Sequence, residues 1–211
     1  MPHFELGLDT FGDITVDAAG QPLSHAQQLR HVVDEAVLAD QVGLDAFGVG
    51  EHHRPDFSVS APEIVLAAIA SKTSRIALGS AVTVLSTDDP IRVFQRFSTL
   101  NALSNGRAEV ILGRGSFTES YPLFGYDLNE YNELFEDKVE LFAELLKGGA
   151  VNWRPKQGQT YHPVRVDGVY PPIESGRLKT WIGVGGSPES VVRAARYGFP
   201  LTLAIIAAQC G

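Results

Sequence analysis

Thr180-Trp181-Ile182-Gly183-Val184-Gly185-Gly186-Ser187-Pro188 is the stretch on which the fold turns. An apolar run from Thr180 to Val184 reads as a strand, the glycine pair as a tight turn, Ser187 as a helix N-cap and Pro188 as the first helical residue. The helix runs from Pro188 to Tyr197, and a second apolar run follows at Phe199 to Ala207. A strand that re-enters its sheet after a helix does so through a right-handed crossover, so the two strands are parallel. The same alternation extends back to the N-terminus. A strand from Phe4 to Phe11 precedes a helix from Ser24 to Val42, with Leu29, Val32, Val33, Ala36, Val37 and Leu38 at helical spacing. Asp45 to Glu51 precedes Ala61 to Lys72, Arg75 to Leu85 precedes Pro90 to Leu103, and Arg107 to Gly113 precedes Glu130 to Leu146. Apolar runs as continuous as Ile205-Ile206 imply strands buried on both faces.

No Gly-x-Gly-x-x-Gly pattern follows the first strand, which disfavours a doubly wound dinucleotide-binding sheet. The expected fold is therefore an α/β parallel barrel of the (β/α)₈ TIM type, in a single domain spanning 1–211. Such barrels take roughly 250 residues, whereas this chain has 211 and about six βα units. The barrel is expected to be incomplete, its C-terminal units missing. An insertion at about 147–178, rich in Pro, Gly and Tyr, is too long for an ordinary connection. It reads either as a functional insertion or as a surface excursion held by its aromatics.

Composition narrows the function classes. The chain is 44% hydrophobic and 20% charged, with net charge −8. That balance supports a core and offers no basic field for nucleic acid or anionic lipid. The lone cysteine, Cys210, excludes an intrachain disulfide and a cysteine metal cluster. Met1-Pro2-His3-Phe4-Glu5 lacks a basic region followed by an apolar one, and no run approaches the length of a membrane span. A cytoplasmic protein is expected.

Parallel barrels place chemistry at the C-terminal ends of strands. Strand two ends in Glu51-His52-His53-Arg54, where an imidazole can move protons near neutral pH. Adjacent histidines in a strand point to opposite faces, so catalysis or binding is favoured over a metal site. The competing reading is a buried histidine paired with Glu51 for structural reasons. Strand four ends in Gly113-Arg114-Gly115-Ser116-Phe117: the small residues permit close backbone approach, and Arg114 is a planar cation suited to phosphate. After strand five, the glycine pair and the helix N-terminus offer amides to an anion, although a capped helix without ligand has the same sequence. Strand three, with Gly79-Ser80-Ala81-Val82, stays apolar to Ser86 and could support a flat ring system.

Taken in order, Glu51-His52-His53, Gly79-Ser80-Ala81-Val82 followed by Asp89-Pro90-Ile91-Arg92, Leu112-Gly113-Arg114-Gly115, Phe124-Gly125-Tyr126-Asp127 and Gly185-Gly186-Ser187 resemble the bacterial luciferase-like flavin-dependent oxidoreductases. This is a family of (β/α)₈ barrels that includes monooxygenases and deazaflavin-dependent dehydrogenases. The resemblance implies that His52 faces the flavin and assists oxygen chemistry. It implies that Ala81 and Val82 lie against the isoalloxazine, often joined by a cis peptide. Arg114, with Gly115 beside it, is implied at the FMN phosphate, together with Gly185, Gly186, Ser187 and Ser190. Asn132 stands where luciferase has a second phosphate-binding arginine. The implied activity is an FMN-dependent oxidoreductase, first of all a monooxygenase using reduced flavin and oxygen on a small organic substrate, with a flavin reductase as supplier. A dehydrogenase using the deazaflavin coenzyme and a non-catalytic flavin-binding truncated barrel are the alternatives. Relatives continue through two more βα units, so an open-edged barrel and a homo-oligomer are expected.

Overall fold

A computed structural model describes residues 4–156, 160–174 and 176–204. The elements in order are β1 (Gly7–Thr10), α1 (His25–Val42), β2 (Ala46–Val49), α2 (Pro62–Ala70), β3 (Ala77–Ser80), β4 (Thr83–Val84), α3 (Pro90–Leu103) and β5 (Ala108–Gly113). They continue with α4 (Ser120–Phe124), α5 (Tyr131–Leu145), β6 (Val151–Trp153), β7 (Val164–Val166), β8 (Lys179–Val184), α6 (Pro188–Tyr197) and β9 (Leu201–Leu203). The main sheet runs β1-β2-β3-β5-β8-β9 with β4 added on β5, every pairing parallel, and it curls into part of a barrel wall with helices outside.

Local chemistry explains the helix boundaries. Ser24 and Gln27 form a capping box at the start of α1, and Gly43 ends it in the left-handed region at φ 91°. Asp89 accepts from the amides of Ile91 and Arg92 ahead of α3, whose first residue is Pro90. Ser187 accepts from the Ser190 amide, Pro188 opens α6 and Gly198 closes it at φ 67°. The core lies between sheet and helices: Phe47, Val49, Leu78, Val110, Leu112, Ile182 and Val184 pack with Val32, Leu66, Ile69, Phe97, Phe135 and Phe142.

Three expectations, on strand burial, on the third strand and on the start of the sixth, need correction. The strands are buried mainly on the helix side: β8 alternates buried and half-buried residues, and β1 is exposed along most of its length. The opposite side of these strands carries Glu109 and Ile111 on β5 and Lys179, Trp181 and Gly183 on β8, where Lys179 Nζ and Trp181 Nε1 donate to the Glu109 carboxylate at 3.0 and 2.8 Å. The third strand is not continuous from 75 to 85. A cis peptide between Ala81 and Val82 separates β3 from β4, and a 3₁₀ turn follows at Leu85–Thr87. The segment at 147–178 holds an antiparallel hairpin, β6 with β7. Its Val151, Trp153 and Val164 join the core, Tyr161 donates to Asp89 Oδ2 at 2.7 Å and Gln95 donates to the Tyr170 carbonyl at 2.9 Å. The described part of the segment is thereby anchored against α3 and α5. The sixth strand begins at Leu201, and the expected part from Ile205 to Ala207 lies outside the described residues. No helix among the described residues is long and apolar enough to cross a membrane.

Candidate active site

The end of β2 is packed tightly. A Cβ on Gly50 would stand 2.2 Å from the Phe11 ring, so only glycine fits there. Beyond it Glu51 turns inward: Oε2 accepts from the Val84 amide at 2.9 Å and Oε1 lies 3.0 Å from His53 Nε2. Glu51 thus ties the end of β2 to β4, and the histidine it holds is His53, not His52. The two imidazoles lie past the strand and diverge. His53 sets its ring edge-on to Phe124 at 5.1 Å. His52, only 7% exposed, lies with Nδ1 3.3 Å from Glu119 Oε1. Its ring stacks on Phe57 at 4.2 Å and meets Phe11 and Phe117 edge-on at 5.0 and 4.5 Å. A half-enclosed aromatic box of this kind excludes water from an imidazole and leaves its nitrogens as the polar handles.

Ala81 and Val82 form the next strand end. The Ala81 amide donates to the Val49 carbonyl at 2.8 Å, and Thr83 Oγ1 donates to Ser80 Oγ at 2.9 Å. Val82 then lies across the concave face. A Cβ on Gly113 would come within 2.3 Å of its Cγ2, and one on Gly183 within 3.1 Å of its Cγ1. Two glycines on β5 and β8 therefore make room for one β-branched side chain. Gly115, at φ +87°, needs to be glycine for its backbone and for Val84, which a Cβ would approach at 2.8 Å. Behind this platform Lys138 is fully buried, donates from Nζ to the Ser86 carbonyl at 2.6 Å and lies 4.0 Å over the Tyr126 ring. Burial pushes its ammonium down to about 8 against the opposing pull of Asp88 and Asp89. Sequence reasoning missed it, although helical spacing places residue 138 on the buried side of α5 with Leu134, Leu141 and Phe142.

Arg114, Ser187 and Ser190 converge between the ends of β5 and β8. Arg114 donates from Nη1 to Asn132 Oδ1 at 2.8 Å and lies 4.9 Å over the Tyr131 ring. Its Nη2 reaches Ser187 Oγ and Ser190 Oγ only at 3.5 and 3.4 Å, bonds long enough to yield to a better acceptor. Asn132, in the place of an expected arginine, orients Arg114. Ideal Cβ atoms on Gly185 and Gly186 would meet nothing within 4 Å, so this loop borders open space. Arg193 was not foreseen: it is 4% exposed, donates from Nε to Glu136 Oε1 at 2.6 Å and from Nη1 to Ser190 Oγ at 3.3 Å. Its position three residues after Ser190 on α6 is the signal that could have found it. Arg114, Asn132, Glu136, Ser187, Arg193 and Arg196 line a cavity of about 520 Å³. The Arg114 guanidinium, the Ser187 hydroxyl and the N-terminus of α6 face this cavity as donors suited to a phosphate monoester, beside Glu189 and the Glu136 carboxylate that is paired with Arg193 and Arg196. Among the described residues, no group of three or more His, Cys, Asp or Glu side chains is arranged to hold a metal.

The family model for luciferase-like monooxygenases matches residues 10–209. N-acetyl-S-alkylcysteine monooxygenase of Bacillus subtilis (strain 168) is 27% identical over 188 residues, covering 88% of this chain and 53% of its own. The fold is shared with the oxygenating constituent of 3,6-diketocamphane monooxygenase from Pseudomonas putida, a type II Baeyer-Villiger enzyme solved with FMN. Its TM-score is 0.74 at 19% identity, over 94% of this chain and 56% of that one. It is shared equally with an F420-dependent secondary alcohol dehydrogenase solved with an F420-acetone adduct. There the TM-score is 0.75 at 18% identity, over 94% of this chain and 57% of that one. The chain spans about half the length of the curated relatives it matches.

Proposed function

Because the chain belongs to the luciferase-like monooxygenase family, we propose that it carries the cofactor site of a cytoplasmic FMN-dependent oxidoreductase, a monooxygenase acting on a small organic substrate. The observation that carries this reading is the cavity lined together by Arg114 and by Ser187 and Pro188 at the N-terminus of α6, with Ser190 buried within reach of Arg114. In this reading Arg114 and the two hydroxyls bind the phosphate, and the open loop at Gly185 and Gly186 admits it. Gly115 lets the backbone approach, and the Ala81–Val82 segment supports the flat ring. When bound, the flavin supplies the redox and oxygen chemistry. His52, screened from water by Phe11, Phe57 and Phe117, holds or moves a proton at its imidazole. A flavin reductase supplies the reducing equivalents, and the protein works as a homo-oligomer. The fold shared with an F420-dependent dehydrogenase favours one second reading, a deazaflavin-dependent dehydrogenase.

Fluorescence titration with FMN and with F420, on wild type and on Arg114→Ala, tests the proposal. FMN should bind, and the variant should lose about 10- to 100-fold in affinity, the worth of one charge-assisted hydrogen bond. Tight F420 binding with none of FMN selects the dehydrogenase reading. An affinity for FMN that Arg114→Ala leaves unchanged removes the phosphate site from this cavity. Turnover with a supplied reductase separates an enzyme from a flavin binder.

A further inference from the structure

We propose that Glu119 is the positioning residue of His52, a carboxylate that fixes which imidazole nitrogen carries the proton and stabilises the imidazolium when the second one arrives. The proposal rests on the reading of His52 as the proton-handling group of this site. The two residues lie 67 positions apart, His52 just past β2 and Glu119 at the start of α4, and they meet at 3.3 Å between Nδ1 and Oε1. His52 is 7% exposed and the Glu119 side chain 20% exposed, so the pair is shielded from bulk water but not sealed. The ring cannot turn freely to another partner, because Phe57 stacks on one face while Phe11 and Phe117 abut it edge-on.

The chemistry follows from that confinement. A carboxylate only accepts hydrogen bonds, so the neutral imidazole carries its proton on Nδ1 and points it at Glu119. Nε2 is then the basic nitrogen, and it has no hydrogen-bond partner among the described residues. A proton taken from substrate by Nε2 leaves the substrate one charge more negative and makes His52 an imidazolium. Its Nδ1–H stays on Glu119, and the proton later leaves through Nε2 to product or water. Other charges also face His52. Asp56, in the same loop, interacts with it electrostatically and is itself bonded to Arg54, whose guanidinium lies 5.7 and 5.4 Å over Phe57 and Phe117. Asp56 is exposed and already paired, so Glu119 is the nearer and better shielded of the two carboxylates.

The test is the titration of His52 in the protein without flavin, followed by two-dimensional ¹H–¹⁵N spectra of the imidazole nitrogens. In wild type at high pH the neutral ring should show the Nδ1–H form. Glu119→Gln should weaken that Nδ1–H preference and shift the midpoint downward, because the carboxamide brings no negative charge to Nδ1. Glu119→Asp should recover part of the shift, and Glu51→Gln should leave His52 unmoved while changing His53. With FMN and reductase present, Glu119→Gln should displace the acidic limb of the kcat profile by the same amount and leave KM largely unchanged. A midpoint and tautomer unaltered in Glu119→Gln overturn the proposal. A shifted midpoint in a protein that binds neither FMN nor F420 upholds the pair and overturns the cofactor reading instead.

Discussion

Lys138 sets a stability question that a single side chain answers. Its ammonium is fully buried, with one hydrogen bond to the Ser86 carbonyl and the face of Tyr126 as its other neighbour. Desolvation lowers it to about 8 in the folded protein, against 10.5 as the ordinary value. Between those two values the unfolded chain holds more protons than the folded one, so the lysine's contribution to stability rises with pH across that window. At neutral pH the buried charge is a cost; above it the cost is relieved. Lys138→Met removes both the charge and its titration. Relative to that variant, wild type should gain about 2–3 kcal/mol between pH 7 and pH 10, following from the size of the shift. Burial pushes up the phenols of Tyr126 and Tyr161, and both tyrosines are present in the two proteins compared. Urea denaturation of the two proteins across the pH range is the measurement, and a constant difference would show that the folded protein holds the Lys138 proton as firmly as the unfolded chain does.

At the scale of the element, β5 and the break between β3 and β4 form one packed unit through Gly113 and Val82. Gly113→Ala places a methyl group 2.3 Å from Val82 Cγ2, and valine has one strongly preferred side-chain rotamer with which to give way. Overpacking of this kind costs about 1–3 kcal/mol. Thermal melting should show that loss, and adding Val82→Ala should restore part of it, since the two residues share one space. If the double variant is simply the sum of the two singles, Gly113 is not glycine for the sake of Val82. The same elements mark what the sequence discloses. Ser187, Pro188 and Gly198 delimit α6 from Pro188 to Tyr197 with no help from the rest of the fold. The third strand reads as continuous because apolar periodicity carries no trace of a cis peptide, and only the family resemblance pointed to Ala81 and Val82. The β6–β7 hairpin was hidden by the Pro and Gly around it, which read as loop. Ser187 and Ser190 were legible as a helix start beside an arginine, but Arg193 and Glu136 are brought to them by packing of α6 against α5. The partnership of His52 with Glu119 likewise depends on the crossing of two loops that no local pattern encodes.

For the whole molecule, the sheet's two ends are its most consequential surfaces. Among the described residues β1 pairs only with β2 and β9 only with β8, so each leaves a row of backbone donors and acceptors facing outward. The β1 end is also apolar: Phe4 is 82% exposed, Leu6 65% and Leu8 52%, close together on one short segment. An unpaired parallel edge flanked by exposed large side chains is a template for another strand, and nothing about β1 blunts it with a proline or an inward-pointing lysine. This 211-residue chain is therefore expected to associate through that edge, with a sedimentation coefficient that rises with protein concentration. Leu8→Lys should suppress the rise, because a charge on the edge must be desolvated before a second strand can pair there. His25→Ala, an exposed change on α1, should not suppress it. FMN, held between β5 and β8 and away from β1 in the proposed reading, should leave the association unchanged while raising the melting temperature by mass action. A concentration-independent monomer would mean that β1 is protected in solution. Association that survives Leu8→Lys would move the contact to another surface.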